Sequence, residues 1–178
     1  HLAAPVGDFV IYLGSGVARP GDFAEYLAKL DISVMCIDVK RGGYAHDLSS
    51  PALAAELRAC AAMPRCVGVL MSTPCGTFSV LRFNDGSARV LRDREHPEGI
   101  PDENGNIPAS VLRANAITDH ALSVCEVAAS HGKHVIIESP VPRGAGSQHA
   151  IPGRERHASL FEYPPVVKFA ERVMCKYV

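Results

Sequence analysis

The sequence predicts an α/β fold of the doubly wound, mostly parallel, Rossmann-like type, and three observations predict it. Short β-rich apolar runs alternate with stretches of helical spacing. The runs are continuously apolar, as in strands of a parallel sheet covered on both faces. Each run also ends on a residue suited to ligand contact, at the strand end where open α/β sheets bind their ligands. At 178 residues the chain is read as one domain over 1–178, long enough for a single core.

The elements follow in order. Asp8–Leu13 is a β-rich run ending at Gly14-Ser15-Gly16. A helix follows with Asp22 as its N-cap and Phe23, Tyr26, Leu27 and Leu30 at helical spacing. Ile32–Ile37 is the second strand and Asp38 ends it. Ser49-Ser50-Pro51 opens the next helix, with proline in its first turn. Cys66–Met71 is the third strand and runs into Thr73-Pro74-Cys75-Gly76. Residues 80–108 read as a long polar loop punctuated by Gly and Pro. A long helix over roughly 109–131 closes at Gly132. His134–Ile137 is the fourth strand, ending at Glu138; 141–158 is a second loop. A helix near 164–173 leads to Lys176-Tyr177-Val178, which reads as the start of a further strand.

Composition bounds the function. A net charge of −1 gives no global basic field of the kind a dedicated nucleic-acid module carries. Six cysteines without a CxxC pair, three of them (Cys36, Cys66, Cys125) in or beside apolar stretches, predict free thiols in a reducing, intracellular setting. No apolar run approaches the ~18 residues that span a bilayer, so no membrane role is expected. The chain opens on His1, which is expected of a fragment or processed product.

The strand ends carry the chemistry. Gly14-Ser15-Gly16 lets backbone approach a ligand closely. It lacks the third glycine of a dinucleotide fingerprint, and no GKS or GKT follows, which excludes a nucleotide P-loop. Asp38, about twenty residues on, suits ribose hydroxyls or a helix cap. Asp47 suits a base ring or, equally, a cap. Cys75, stiffened by Pro74 and cleared by Gly76, reads as a thiol lifted onto a turn near a helix N-terminus, a setting that favours thiolate. Glu138 follows an apolar strand. A carboxylate at such depth is costly unless paired or held partly neutral to donate a proton. Arg82, Arg89, Arg92 and Arg94 in the first loop and Arg143 in the second are candidate phosphate contacts, with a solvated loop as the alternative. No four-ligand metal spacing is present, and no metal is expected.

Taken in order, these residues resemble the DNA cytosine-5 methyltransferases, which use S-adenosylmethionine. Leu13-Gly14-Ser15-Gly16 is similar to the family's first glycine motif, Asp38 to its ribose acid and Asp47 to an acid near the adenine. Pro74-Cys75 with Phe78-Ser79 resembles the nucleophile motif, and Glu138 the glutamate of Glu-Asn, with Ser139 in place of Asn. A short branch found in protists, large viruses and retroelements is closer still, since it carries Pro-Cys-x-Thr-Phe-Ser and a serine with a hydrophobic pair resembling Ser159-Leu160-Phe161. The family's Arg-rich motif and target-recognition domain have no counterpart here, and the chain ends where further core strands are expected to follow, as in a truncated polypeptide or a reduced module.

The resemblance implies a class I methyltransferase sheet, with S-adenosylmethionine held by Leu13, Gly14, Ser15, Gly16, Asp38, Asp47 and Pro74. It implies attack of Cys75 thiolate on carbon 6 of a cytosine in nucleic acid while Glu138 engages ring nitrogen 3. Two alternatives stay open. One is a non-catalytic module binding cofactor or nucleic acid inside a larger viral or mobile-element polypeptide. The other is a hydrolase or transferase pairing Cys75 with His46 or His120.

Overall fold

The computed structural model describes residues 2–72, 75–80 and 90–174. Pro74, Arg82, Arg89 and the expected strand at 176–178 lie outside the described residues. Among the described residues four strands form one all-parallel sheet: β1 (Phe9–Leu13), β2 (Ser33–Ile37), β3 (Cys66–Met71) and β4 (His134–Ile137), in the order β2-β1-β3-β4. Helices α1 (Phe23–Ala28), α2 (Val39–Gly42), α3 (Pro51–Ala61), α4 (Ala109–Ser130) and α5 (Pro164–Met174) complete the α/β alternation. The parallel sheet flanked by helices is the architecture the sequence predicts.

The chain divides into two compact units, His1–Thr73 with Ile117–Glu138, and Pro74–Ala116 with Ser139–Val178. The first unit holds the sheet. Phe9, Ile11 and Leu13 alternate along β1 with no solvent exposure, and each such side chain contributes roughly 1.5–3 kcal/mol on burial. Val69 and Met71 stand beside Ile11 and Leu13 in register, and the Cys125 thiol of α4 lies 4.0 Å from the Met71 sulfur. Tyr12 points to the opposite face, where its ring meets Phe23 of α1 edge-on at 5.7 Å. Helices therefore cover both faces, as a doubly wound sheet requires. Local signals start them as expected. The Asp22 carboxylate accepts the Glu25 N–H, and Ser50 accepts the Leu53 N–H with Pro51 at the first helical position.

One expectation is corrected. Among the described residues β4 is an outer strand of the sheet; His134 and Ile136 are exposed, Ile136 by 55%. Its apolar residues do not bury Glu138, which is itself exposed. The position in the strand order, rather than the run of apolar residues, decides burial.

The second unit has its own core. Residues 90–108 and 141–158 contain no helix or strand, as the sequence predicts, yet their backbones pair: Arg94 N–H with Arg156 C=O (3.1 Å), Ile100 with Leu91 (2.9 Å), Ala145 with Glu155 (3.0 Å). Leu91, Val111, Leu160, Tyr163, Val166 and Phe169 are buried.

Arg92 sits among them and is 2% exposed. Its Nε donates to Thr77 Oγ1 (3.1 Å), Nη1 to Pro97 C=O (2.7 Å) and Nη2 to Asn115 Oδ1 (2.7 Å). Its guanidinium lies 3.9 Å over the Phe78 ring, with Tyr163 edge-on to Phe78. The expectation of Arg92 as a phosphate contact is therefore wrong. A planar fork whose donors are taken by fixed acceptors is a core element.

Asp93 beside it is also buried and accepts from Arg156, from the backbone N–H of Glu95 (3.1 Å) and His96 (2.8 Å), and from the His96 ring (3.0 Å). Burial pushes its carboxyl up, but these donors outweigh burial and hold it below the usual carboxylate range. A lowered folded-state pKa gives stability that is complete above the unfolded value near pH 4 and is lost as pH falls through the folded value. Asp93→Asn is expected to lower stability by about 1–3 kcal/mol at neutral pH. The variant should also decline less steeply below about pH 4, where wild type loses what the variant never had. Melts at pH about 7 and about 3 check both; parallel curves would remove Asp93 as a source of acid sensitivity.

Candidate functional site

At the C-terminal end of β1 the chain must turn sharply, and Gly14 (φ 74°) and Gly16 (φ 66°) supply the left-handed backbone that other residues resist. Asp38, at the end of β2, holds this loop. Its Oδ2 accepts the Gly16 N–H at 2.9 Å and its Oδ1 accepts the Lys40 N–H at 2.8 Å, capping α2. A carboxylate has about four acceptor positions, so Asp38 retains capacity for a ligand hydroxyl. Arg41 grips the other side of the loop, donating from Nε to Gly16 C=O (2.8 Å) and from Nη2 to Asp22 (3.0 Å). The sequence reading missed Arg41; its place in the helix that Asp38 caps is the signal that marks it.

Beside the loop is a cavity of about 290 Å³ lined by Tyr12, Ser15, Arg19, Asp22 and Phe23, among others. The Arg19 guanidinium has no hydrogen-bond or ion-pair partner among the described residues. The Glu25 N–H first, then the Arg19 N–H and Arg41, hold the Asp22 carboxyl below its ordinary range, so it stays charged at neutral pH. One wall of the cavity is thus cationic and another anionic.

Leu13 and Asp47 also have local structural roles. Leu13 is wholly buried and its C=O accepts the Ser72 N–H (2.8 Å), so it shapes the loop from beneath. Asp47 Oδ1 accepts both the N–H (3.0 Å) and the hydroxyl (2.7 Å) of Ser49, organising the turn into α3.

At the ends of β3 and β4 the sheet brings Ser72 and Glu138 together. The Glu138 N–H donates to Met71 C=O (2.8 Å), and the Ser72 hydroxyl donates to Glu138 Oε2 (2.5 Å). The carboxylate is oriented by the hydroxyl and open to solvent. It has not been desolvated as the sequence suggested.

In the second unit Cys75 is exposed and opens a single 3-10 turn, Cys75–Thr77, closed by the Phe78 N–H on Cys75 C=O (2.9 Å). Phe78 is buried and pins the turn from behind. His157 adds a tether: its Nδ1 accepts the Arg143 N–H (3.3 Å) and its Nε2–H donates to Phe78 C=O (2.9 Å). Cys75 is exposed, whereas the other described cysteines are buried or, for Cys36, half-buried. Burial raises the thiols of Cys36, Cys60 and Cys66, and pushes that of Cys125 up to about 12, so those sulfurs stay protonated.

Of the remaining arginines, Arg94 donates to Glu162 Oε1 (2.8 Å) and Arg143 donates from Nη1 to His149 C=O (3.4 Å). His120 Nδ1 donates to Leu48 C=O (3.0 Å), and the His46 ring packs where a Cβ on Gly42 would stand. Asp93, Glu95 and His96 bring ligand-type atoms within 4.8 Å of one another, a cluster the sequence reading did not anticipate. Arg156 already supplies positive charge there, pairing with Asp93 and Glu95, so the cluster is an ion-pair network.

Among the described residues no helix is long and apolar enough to cross a membrane. Comparison of the chain with protein-family models, with curated proteins and with solved structures finds no match.

Proposed function

We propose that the chain is an S-adenosylmethionine-dependent methyltransferase of the cytosine-5 type, acting on a cytosine in nucleic acid. The observation that carries this reading is the clamp at the end of β1, where Asp38 pins Gly16 beside a cavity with one cationic and one anionic wall. A ligand with sugar hydroxyls and a zwitterionic amino-acid end suits that combination. Asp38 would accept from the ribose, while Arg19 and Asp22 would meet the carboxylate and ammonium.

The resemblance assigns to the Cys75 thiolate the addition to carbon 6 of the ring, and to Glu138 the hydrogen bond or proton at nitrogen 3. S-adenosylmethionine, held at the loop that Asp38 pins through Gly16, would supply the methyl to carbon 5 and leave as the neutral thioether; loss of the carbon 5 proton to solvent with expulsion of the Cys75 thiolate would restore the ring. Exposure of Cys75 keeps the sulfur accessible, and Ser72 fixes the Glu138 carboxylate. Arg143 would contact phosphate. One observation favours a non-catalytic binding module instead: Glu138 is exposed and is followed by Ser139 where the family has Asn.

Calorimetric titration with S-adenosylhomocysteine tests the cofactor site. Micromolar binding is expected, weakened about tenfold or more in Asp38→Ala, which loses a charged acceptor and the loop's anchor. Equal binding by the variant would remove Asp38 from the site. No binding by folded wild type would defeat the methyltransferase reading. Binding without turnover on any cytosine substrate would leave the non-catalytic module.

A further inference from the structure

The second unit contains a cleft of about 640 Å³, within the range of small-molecule sites, and none of the chemistry above uses it. Phe161, Val141, Gln148 and His149 line it, together with the Arg94–Glu162 ion pair. The local sequence explains why an aromatic ring is displayed there. Ser159 precedes a 3-10 turn, Leu160–Glu162, and the Glu162 carboxylate reaches back to the Ser159 N–H at 2.8 Å. Leu160 is 1% exposed and anchors the turn in the core. With about three residues per turn, the neighbour of an inward residue must face elsewhere. Phe161 is accordingly 41% exposed, and Val141 beside the cleft is 42% exposed. This accounts for the Ser-Leu-Phe stretch that the fold and the methyl-transfer chemistry leave unexplained: the serine and leucine set the turn and the phenylalanine is its product.

The chemistry of the walls selects the occupant. Arg94 is held at 2.8 Å by Glu162, so the charged groups of the cleft largely neutralise each other and do not call for an anion. The Gln148 amide and His149 imidazole offer both donors and acceptors, which an aliphatic chain would leave unpaired. A flat, neutral, hydrogen-bonding ring satisfies all three. We propose that this cleft binds a nucleobase, stacked on Phe161 with its edge toward Gln148 and His149, and so holds a nucleotide of the single-stranded or extruded substrate outside the reacting position. The proposal rests on the nucleic-acid reading for the source of the base.

The test uses the whole chain with a short cytosine-containing single-stranded oligonucleotide, with S-adenosylhomocysteine titrated in parallel. Phe161→Leu keeps apolar bulk and removes the π face; it is expected to weaken oligonucleotide binding by about 5- to 150-fold. Phe161→Tyr should restore it, and neither variant should change affinity for S-adenosylhomocysteine. Oligonucleotide binding that Phe161→Leu leaves unchanged would overturn the cleft while the methyltransferase reading stands. Phe161-dependent oligonucleotide binding in a chain that does not take S-adenosylhomocysteine would support the cleft and sink the cofactor assignment. If wild type binds no oligonucleotide, cytidine monophosphate is added to carbon-13 phenylalanine-labelled protein. A shift of the ring signal that Phe161→Leu removes supports a base site, and an unmoved signal overturns it.

Discussion

Replacing Arg92 with alanine is expected to cost about 4 kcal/mol of stability, a loss typical of breaking a buried charged network. Three acceptors (Thr77 Oγ1, Pro97 C=O and Asn115 Oδ1) would be left inside the second unit without their donor. The contact with the Phe78 ring at 3.9 Å would also go, worth about 2 kcal/mol when desolvated. Arg92→Lys keeps the charge but not the planar fork, and should recover less than half of the loss, on the order of 1–2 kcal/mol. Denaturant unfolding gives the totals. Hydrogen exchange at the Ile100 and Val111 amides, both bonded within this unit, locates the damage. A variant within about 0.5 kcal/mol of wild type would show that Arg92 is tolerated there and does not organise the unit.

The second large effect falls on activity. Cys75→Ala is expected to reduce methyl transfer by roughly three orders of magnitude or more, because no other group replaces the carbon–sulfur bond that activates carbon 5. Affinity for S-adenosylhomocysteine should stay within about twofold, since the clamp on Gly16 is built from Asp38 and Arg41 and does not involve the thiol. Transfer of labelled methyl to a cytosine oligonucleotide is the measurement. An oligonucleotide fluorinated at carbon 5 adds a second readout. It has no proton to lose there, so wild type should be trapped as a covalent adduct and the variant should not. Methyl transfer that survives the substitution would take Cys75 out of the mechanism.

How much of this was legible in the sequence depends on the range of the interaction. Strand positions and helix starts were legible because their causes are local: Asp22 and Ser50 cap helices three residues away, and Gly132 takes a positive φ right after α4. The strand-end location of Gly16 and Asp38 followed from the same alternation, although not the bond between them. The setting of Glu138 was not legible. His134–Ile137 has the composition of a buried strand, and only the sheet order shows it to be an outer one. Nor was the fate of Arg92. In sequence it is one of several arginines in a polar stretch, and its partners lie 5 to 23 residues away in segments that carry no periodic signal. Asp93 was hidden for the same reason, its Arg156 partner being 63 residues on.

The division into two units cuts the chain at Thr73, Ala116 and Glu138, and the second of these points lies inside the 22-residue helix α4. Each unit is therefore assembled from two separated stretches of sequence. During synthesis the first three strands emerge well before β4, and the sheet waits for residues beyond 130 before β4 can pair with β3. For the same reason neither unit can be expressed as one uninterrupted fragment. A truncation that stops anywhere before Glu138 removes part of both, so mapping activity in this chain calls for point substitutions or internal splicing and not for serial deletion.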